Sequence, residues 1–227
     1  MTTTRPAASR KKKSILIVDD HPMMRDGLRQ IVSSAPELSV CGEAATAAQA
    51  MELVGKLKPD LVLADISLAD KNGIELIKDI QALHPDVQTL VISMHDETLY
   101  VERVLRAGGR GYINKQEGGK RIMEAIRRVL DGQICVSEKM SAKILEIFSG
   151  KRAGSESSPV ERLTDREFEI FQMIGRGVEP REIAEQLHLS VKTVEVHRAN
   201  IKQKLELKNV PELIRFAVRW VESQKLS

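Results

Sequence analysis

The chain reads as two domains of different class: a doubly wound α/β domain on a five-stranded parallel sheet, then a smaller all-α domain with a helix-turn-helix. Three observations predict this. Between residues 14 and 131, apolar runs short enough for buried strands recur five times, each followed by a helical pattern. Four of these runs end in residues that carry chemistry: Asp19-Asp20, Asp65, Ser93 and Lys115. From residue 162 onward the strand pattern vanishes, and helix caps with 3.6-residue periodicity remain.

Taken in order, Ile15, Leu16, Ile17 and Val18 form the first strand, and His21-Pro22 opens a helix to about residue 34, with Pro in its first turn. Residues 38–43 read as the second strand and 46–56 as the second helix. The third strand ends at Asp65, and its helix runs from about 72 to 83, halted by His84-Pro85. The fourth strand ends at Ser93, and a helix covers about 97–106 until Gly108-Gly109 breaks it. Gly111, Tyr112, Ile113 and Asn114 make the fifth strand, followed by a helix over about 116–130. Five such units in one sheet point to the flavodoxin-like order.

Residues 137–148 read as an amphipathic connector helix, and 149–159 as a linker rich in Ser, Gly and charge. Leu163-Thr164-Asp165-Arg166-Glu167 is a capping box, with Thr164 at the cap and Glu167 three residues on. Helices are expected at about 165–175, 180–187, 191–205 and 210–222, the second and third joined by a turn at His188, Leu189 and Ser190. The predicted divisions are a basic tail at 1–13, the α/β domain at 14–131, a linker with its connector helix at 132–161, and the helical domain at 162–227.

A chain of 227 residues suffices for two cores, and its 42% hydrophobic and 30% charged shares are those of an ordinary globular protein. No apolar stretch reaches the roughly 18 residues of a membrane span. The polar start offers no secretory leader, so a cytoplasmic location is expected. Cys41 and Cys135 lack metal-ligand spacing and read as small packed residues in a reducing compartment. Charge is uneven: residues 14–131 carry 14 Lys/Arg against 18 Asp/Glu, a net of −4, while 162–227 carry 12 against 10, a net of +2. An acidic first domain and a basic second one suit metal binding and nucleic acid respectively.

In an open parallel sheet the carboxyl ends of the strands share one edge, where ligands bind. Asp19, Asp20 and Asp65 would gather three negative charges there, which a hard oxygen-seeking cation such as Mg²⁺ relieves. A carboxylate of Asp65 could then attack a phosphoryl group in line, with Ser93 and Lys115 holding the equatorial oxygens. Asp19-Asp20 alone could equally be a helix cap. The joint occurrence at four strand ends decides for the phosphoryl site.

Ile17-Val18-Asp19-Asp20-His21-Pro22, Pro59-Asp60-Leu61-Val62-Leu63-Ala64-Asp65 and Gly111-Tyr112-Ile113-Asn114-Lys115 resemble the receiver domain of bacterial response regulators over residues 14–131. The resemblance implies that Asp65 accepts phosphate from a sensor histidine kinase. It implies Mg²⁺ held by Asp20 directly, by Asp19 mainly through water, by Asp65, and by the backbone carbonyl of Ser67. It makes Ser93 and Tyr112 a switch pair, the hydroxyl moving toward the phosphoryl group and the ring following inward. One departure stands out: Leu68-Ala69 replaces the family's frequent Met-Pro, while Gly73 is retained. That loosens the loop without removing chemistry.

In the second domain, Pro180 starts a helix with Ile183, Ala184 and Leu187 on one face. Ser190 caps the next, whose stripe of Val191, Val194, Ile201 and Leu205 is expected to pack inward. Its other faces present cations and polar groups. The segments 163–167, 182–184 and 190–205 resemble the LuxR-type DNA-binding domain, and the two domains together resemble a NarL/FixJ-type response regulator. By that resemblance Glu195, Val196 and Ala199 face the groove floor, while Lys192, Thr193, His197, Arg198 and Lys202 lie nearer phosphates. The last helix, with Leu213, Ile214, Ala217, Val218 and Val221, would form a homodimer contact on inverted half-sites of double-stranded DNA. RNA polymerase is a further expected partner.

The reading is a transcription regulator, not a turnover enzyme, in which the receiver masks the recognition helix until Asp65 is phosphorylated. A Mg²⁺-dependent phosphatase would want a second acid two residues beyond Asp65, where Ser67 stands. A constitutive DNA binder would have no use for the intact acidic set.

Overall fold

The apolar runs are strands covered on both faces: within Leu61–Ala64 no residue is more than 1% exposed. The computed structural model describes residues 12–138, 140–141 and 159–225. Its strands are β1 (Lys13–Val18), β2 (Leu38–Ala44), β3 (Leu61–Ala64), β4 (Gln88–Ser93) and β5 (Tyr112–Asn114), all parallel, in the order β2-β1-β3-β4-β5. The order reverses direction between β1 and β3, which opens the crevice at their carboxyl ends. Register then does the positioning. Val18 pairs with Ala64, so Asp19 and Asp65 are the next residues on adjacent strands. Ser93 pairs with Asn114, which sets Lys115 one residue beyond.

Helices α1 (Pro22–Ser33), α2 (Ala47–Leu57), α3 (Gly73–Leu83), α4 (Glu97–Arg106) and α5 (Gly118–Leu130) cover the two faces of the sheet. Thr46, Asn72 and Asp96 cap α2, α3 and α4, each side chain accepting a backbone N–H. Such a cap is worth about 1 kcal/mol. The cap of α1 is His21, without a side-chain bond, rather than Asp19 or Asp20. The helix expected from residue 116 starts as a 3-10 turn, Lys115–Glu117, with a capping box from Asn114. Gly118 then takes φ +79, a left-handed conformation that breaks the turn from α5.

Beyond residue 131 the chain returns to the sheet: the Cys135 carbonyl accepts the Tyr112 N–H, and the Cys135 N–H donates to Arg110. Cys135 is buried and Cys41 half-buried, both as free thiols. The expected connector helix is seen at Glu138, Met140 and Ser141. Its remainder, most of the linker and nearly all of the basic tail lie outside the described residues. Pro159–Arg162, expected at the end of the linker, forms a 3-10 turn with Val160 buried.

The second domain consists of α6 (Asp165–Gly175), α7 (Pro180–Gln186), α8 (Val191–Lys204) and α9 (Val210–Lys225). The Thr164–Glu167 capping box forms as the sequence predicts. Ile183, Ala184, Leu187, Val194, Ile201 and Leu205 are buried. Val191 is not: it is 42% exposed at the first position after the Ser190 cap, where the neighbouring helices no longer cover it. The long α9 packs along α6, with Phe171 against Phe216 and Trp220, while Ile214 is exposed. No helix among the described residues is long and apolar enough to cross a membrane.

Candidate functional site

Three strand ends meet at one ammonium. Lys115 Nζ donates to Asp65 Oδ2 at 2.6 Å and stands 2.6 Å from Asp19 Oδ2. All three side chains are at most 5% exposed. Burial works against a charge on Lys115, but the carboxylates of Asp65 and Asp19 outweigh it and hold its pKa above the usual lysine range. The other oxygen of Asp65 accepts the Ile66 N–H at 2.7 Å, fixing the carboxylate plane. Gly73 permits this: a Cβ there would lie 1.9 Å from the Asp65 carbonyl oxygen.

Asp20 completes the acidic set, with its Oδ1 2.6 Å from His21 Nδ1. Oxygen ligand atoms of Asp19, Asp20 and Asp65, with a nitrogen of His21, lie within 4.8 Å of one another. Among the described residues, Asp19 Oδ2 and Asp20 Oδ1 are buried and accept no hydrogen bond of good geometry, their charge contacts being those just given. Buried lone pairs on a mainly carboxylate donor set fit a hard divalent cation.

Ser93 is buried beside this group, its Oγ accepting the His95 N–H at 3.5 Å. Tyr112 is also buried, its hydroxyl donating to the His95 carbonyl at 2.7 Å. The inward ring expected only after phosphorylation is therefore already in place. Burial pushes the Tyr112 phenol far up, so it remains a donor at any ordinary pH.

The second domain lies over the same edge. The crevice is lined by Asp65, Ser67, Ser93 and Lys115 on one side and by Glu185, Gln186 and His188 on the other. His188 Nε2 is 3.7 Å from Asp20 Oδ2. One apolar cluster runs through both domains, joining Ile66, Tyr100 and Val101 to Phe168 and Phe171. Arg103 of α4 donates to Asp165 and to the carbonyls of Val160 and Leu163, and its guanidinium lies 4.1 Å over the Phe168 ring. Lys78 also reaches Asp165, at 2.8 Å. Farther along α6, Glu169 enters the β3–α3 loop, where Ser67 and Asn72 donate to it.

The expected masking of the recognition helix α8 takes a different form. Glu195, Val196 and Ala199 are exposed, as is Lys192, while the first domain covers α6 and approaches the His188 turn. Thr193 is engaged with the Ser190 hydroxyl at 2.7 Å. Arg198 donates to Glu195 at 2.5 Å, so these two are paired with each other. His197 and Lys202 are half-buried, and burial lowers the His197 pKa. Sequence reasoning missed His95, Glu169, Arg103 and His188. Each acts across a domain boundary, where no local pattern marks it.

Fold and site together define a two-domain regulator, an α/β domain with an acidic crevice docked on a helix-turn-helix domain. The family model described as "Response regulator receiver domain" matches residues 15–127, and that for "Bacterial regulatory proteins, luxR family" matches 161–217. The oxygen regulatory protein NreC of Staphylococcus carnosus is 35% identical over 209 residues, covering 90% of this chain and 96% of that one. The transcriptional regulatory protein DegU of Brevibacillus brevis is 32% identical over 226 residues, covering 93% and 96%. Among solved structures, the RcsB response regulator of Salmonella typhimurium aligns with a TM-score of 0.55 at 26% identity, covering 91% of this chain and 98% of that one. A LuxR-family two-component response regulator from Aurantimonas sp. SI85-9A1 gives 0.57 at 29%, covering 61% and 99%. The chain belongs to the NarL/FixJ-type response regulators, with a receiver domain and a LuxR-type DNA-binding domain.

Proposed function

We propose that Asp65 is the phosphoacceptor and that its phosphorylation by a sensor histidine kinase raises sequence-specific DNA binding. The observation that carries this is Lys115 bridging Asp19 and Asp65 at 2.6 Å, with Ser93 beside them at the carboxyl edge of the sheet. One carboxylate oxygen of Asp65 forms a bond to phosphorus as the bond from phosphorus to the kinase imidazole breaks. Lys115 and the Ser93 hydroxyl take the equatorial oxygens, replacing charge and hydrogen bonds that water would otherwise supply. The acidic set fits Mg²⁺, which Asp20, Asp65 and the Ser67 carbonyl would hold, with Asp19 acting mainly through water. When bound it neutralises phosphoryl charge there. Tyr112 enters the switch through its hydroxyl, which already holds the His95 carbonyl. The resulting acyl phosphate hydrolyses with time, so the protein handles its own phosphoryl group and does not turn over external substrates.

On the DNA side, Glu195, Val196 and Ala199 would face base edges, with Lys192, Thr193, His197, Arg198 and Lys202 near phosphates. Exposed Ile214 and half-buried Val218 on α9 suit a homodimer on inverted half-sites. The protein would work in the cytoplasm, with RNA polymerase as a further partner. The test is DNA affinity with and without acetyl phosphate and Mg²⁺, using Asp65→Asn as control. Tightening in the wild type alone is expected. Equal binding with and without donor in both proteins would leave only a constitutive DNA binder.

A further inference from the structure

Glu169 is a carboxylate at 1% exposure that belongs to one domain and is held largely by the other. Its Oε1 accepts the Ser67 hydroxyl at 2.9 Å, and its Oε2 accepts Asn72 Nδ2 at 3.1 Å and Arg166 Nη1 at 2.9 Å. Arg166 is its neighbour on α6. Ser67 and Asn72 both lie in the β3–α3 loop and are paired across it by an antiparallel bridge. Glu169 thus clamps the loop that begins directly after Asp65.

The clamp extends to the β4–α4 loop through His95. Because the Ser67 hydroxyl donates to Glu169, the His95 Nε2, 2.9 Å from Ser67 Oγ, must carry the proton and donate in turn. The backbone of His95 is tied to the switch residues: its N–H reaches Ser93 Oγ at 3.5 Å, and its carbonyl holds the hydroxyl of Tyr112 and the Asn114 amide. Once Ser93 Oγ turns to a phosphoryl oxygen on Asp65, the His95 N–H loses an acceptor already at the limit of hydrogen bonding. Movement of His95 withdraws Nε2 from Ser67 and loosens the seat of Glu169. The phosphoryl group also adds negative charge to the crevice that this carboxylate borders.

We propose that Glu169 is a charged latch of the DNA-binding domain, seated on the two loops that frame Asp65, so that its seating and the phosphorylation of Asp65 oppose each other. The proposal rests on the reading of Asp65 as phosphoacceptor. Coupling of this kind is reciprocal: whatever factor phosphorylation applies to undocking, docking applies to phosphorylation.

Two variants of the full chain approach the latch from opposite sides. Glu169→Gln removes the charge from α6. Asn72→Asp keeps the oxygen that caps the Ile74 N–H but sets a second carboxylate against Glu169. Small-angle X-ray scattering gives the radius of gyration, and acetyl phosphate with Mg²⁺ gives the rate of phosphoryl incorporation. Both variants are expected to expand without donor and to incorporate phosphate about fivefold faster or more, the lower end of typical coupling. Wild type should expand only with donor. Retention of wild-type radius and rate in both variants overturns the latch, and expansion with an unchanged rate overturns its link to the loops. Equal incorporation in Asp65→Asn and wild type would instead remove the phosphoacceptor reading, and the latch with it.

Discussion

Asp165 and Glu169 lie one turn apart on α6, both buried and both facing the receiver, yet they are held by different chemistry. Asp165 is held by two cations, Lys78 and Arg103, on the rigid helices α3 and α4. Glu169 meets neutral donors, Ser67 and Asn72, on the loop that follows Asp65, and its cation comes from its own helix. An ion pair between rigid elements is strong and indifferent to what happens at Asp65. Neutral hydrogen bonds to a loop are weaker and follow the loop. The same helix face therefore carries an anchor and a sensor, and the division of labour follows from the donors.

Arg103→Ala gives the largest expected break in this picture. The guanidinium serves Asp165, two carbonyls and the Phe168 ring, and removing it leaves Asp165 with Lys78 alone. A loss of about 3 kcal/mol in docking is expected, the lower end for removing one partner of a buried pair. Calorimetry should then resolve two separate melting transitions; one unchanged transition would mean that the anchor lies elsewhere.

A smaller effect comes from acid. Burial alone would raise the Asp165 pKa, but the hydrogen bonds from Lys78 and Arg103 more than offset it and lower the value. A depressed docked-state pKa means that the ionic contribution is complete above the undocked value near 4. It is lost as the pH falls through the docked value. Scattering measured down a pH series should show the chain expanding below about pH 4. A chain that stays compact there would deny the ionic anchor.

The smallest effect sharpens the strip between anchor and sensor. The Tyr100 ring sits 4.8 Å from His95 and 5.4 Å from Phe168, while its buried hydroxyl has no hydrogen-bond partner among the described residues. Tyr100→Phe should therefore stabilise by about 1 kcal/mol, or cost nothing, because it removes an unpaired polar group and keeps the packing. A melting temperature lowered by several degrees would show that the hydroxyl is in use.

The clustering in the acidic crevice was legible because a parallel sheet turns a one-dimensional pattern into a place. Four of the five strands lead into residues that carry chemistry, and register brings Asp19, Asp65, Ser93 and Lys115 to one edge. The helix-turn-helix was equally plain from its caps and stripe, Val191 excepted, whose place after the cap no periodicity reports. The interdomain seat was not legible. Glu169 stands three residues after Arg166 and reads as an ordinary helical ion pair, and its contact with Ser67 spans 102 residues of sequence. His95 gave no sign either, since its role depends on a partner supplied by the second domain. The inward position of Tyr112 likewise reflects three-dimensional packing around the His95 carbonyl.

The backbone bridge between Cys135 and the edge of β5 has a consequence for how little force the latch needs. It fixes the root of the tether beside Tyr112, and 22 residues separate Val136 from Pro159. At about 3.5 Å per residue, a stretch of that length can reach no farther than on the order of 75 Å. A released DNA-binding domain therefore remains at an effective concentration of roughly millimolar around its own receiver. Docking contacts that would be negligible between separate molecules are populated here, and weakening them about tenfold below that level is enough to free most of the domains. Chain connectivity thus adds to the docking contacts without adding a bond.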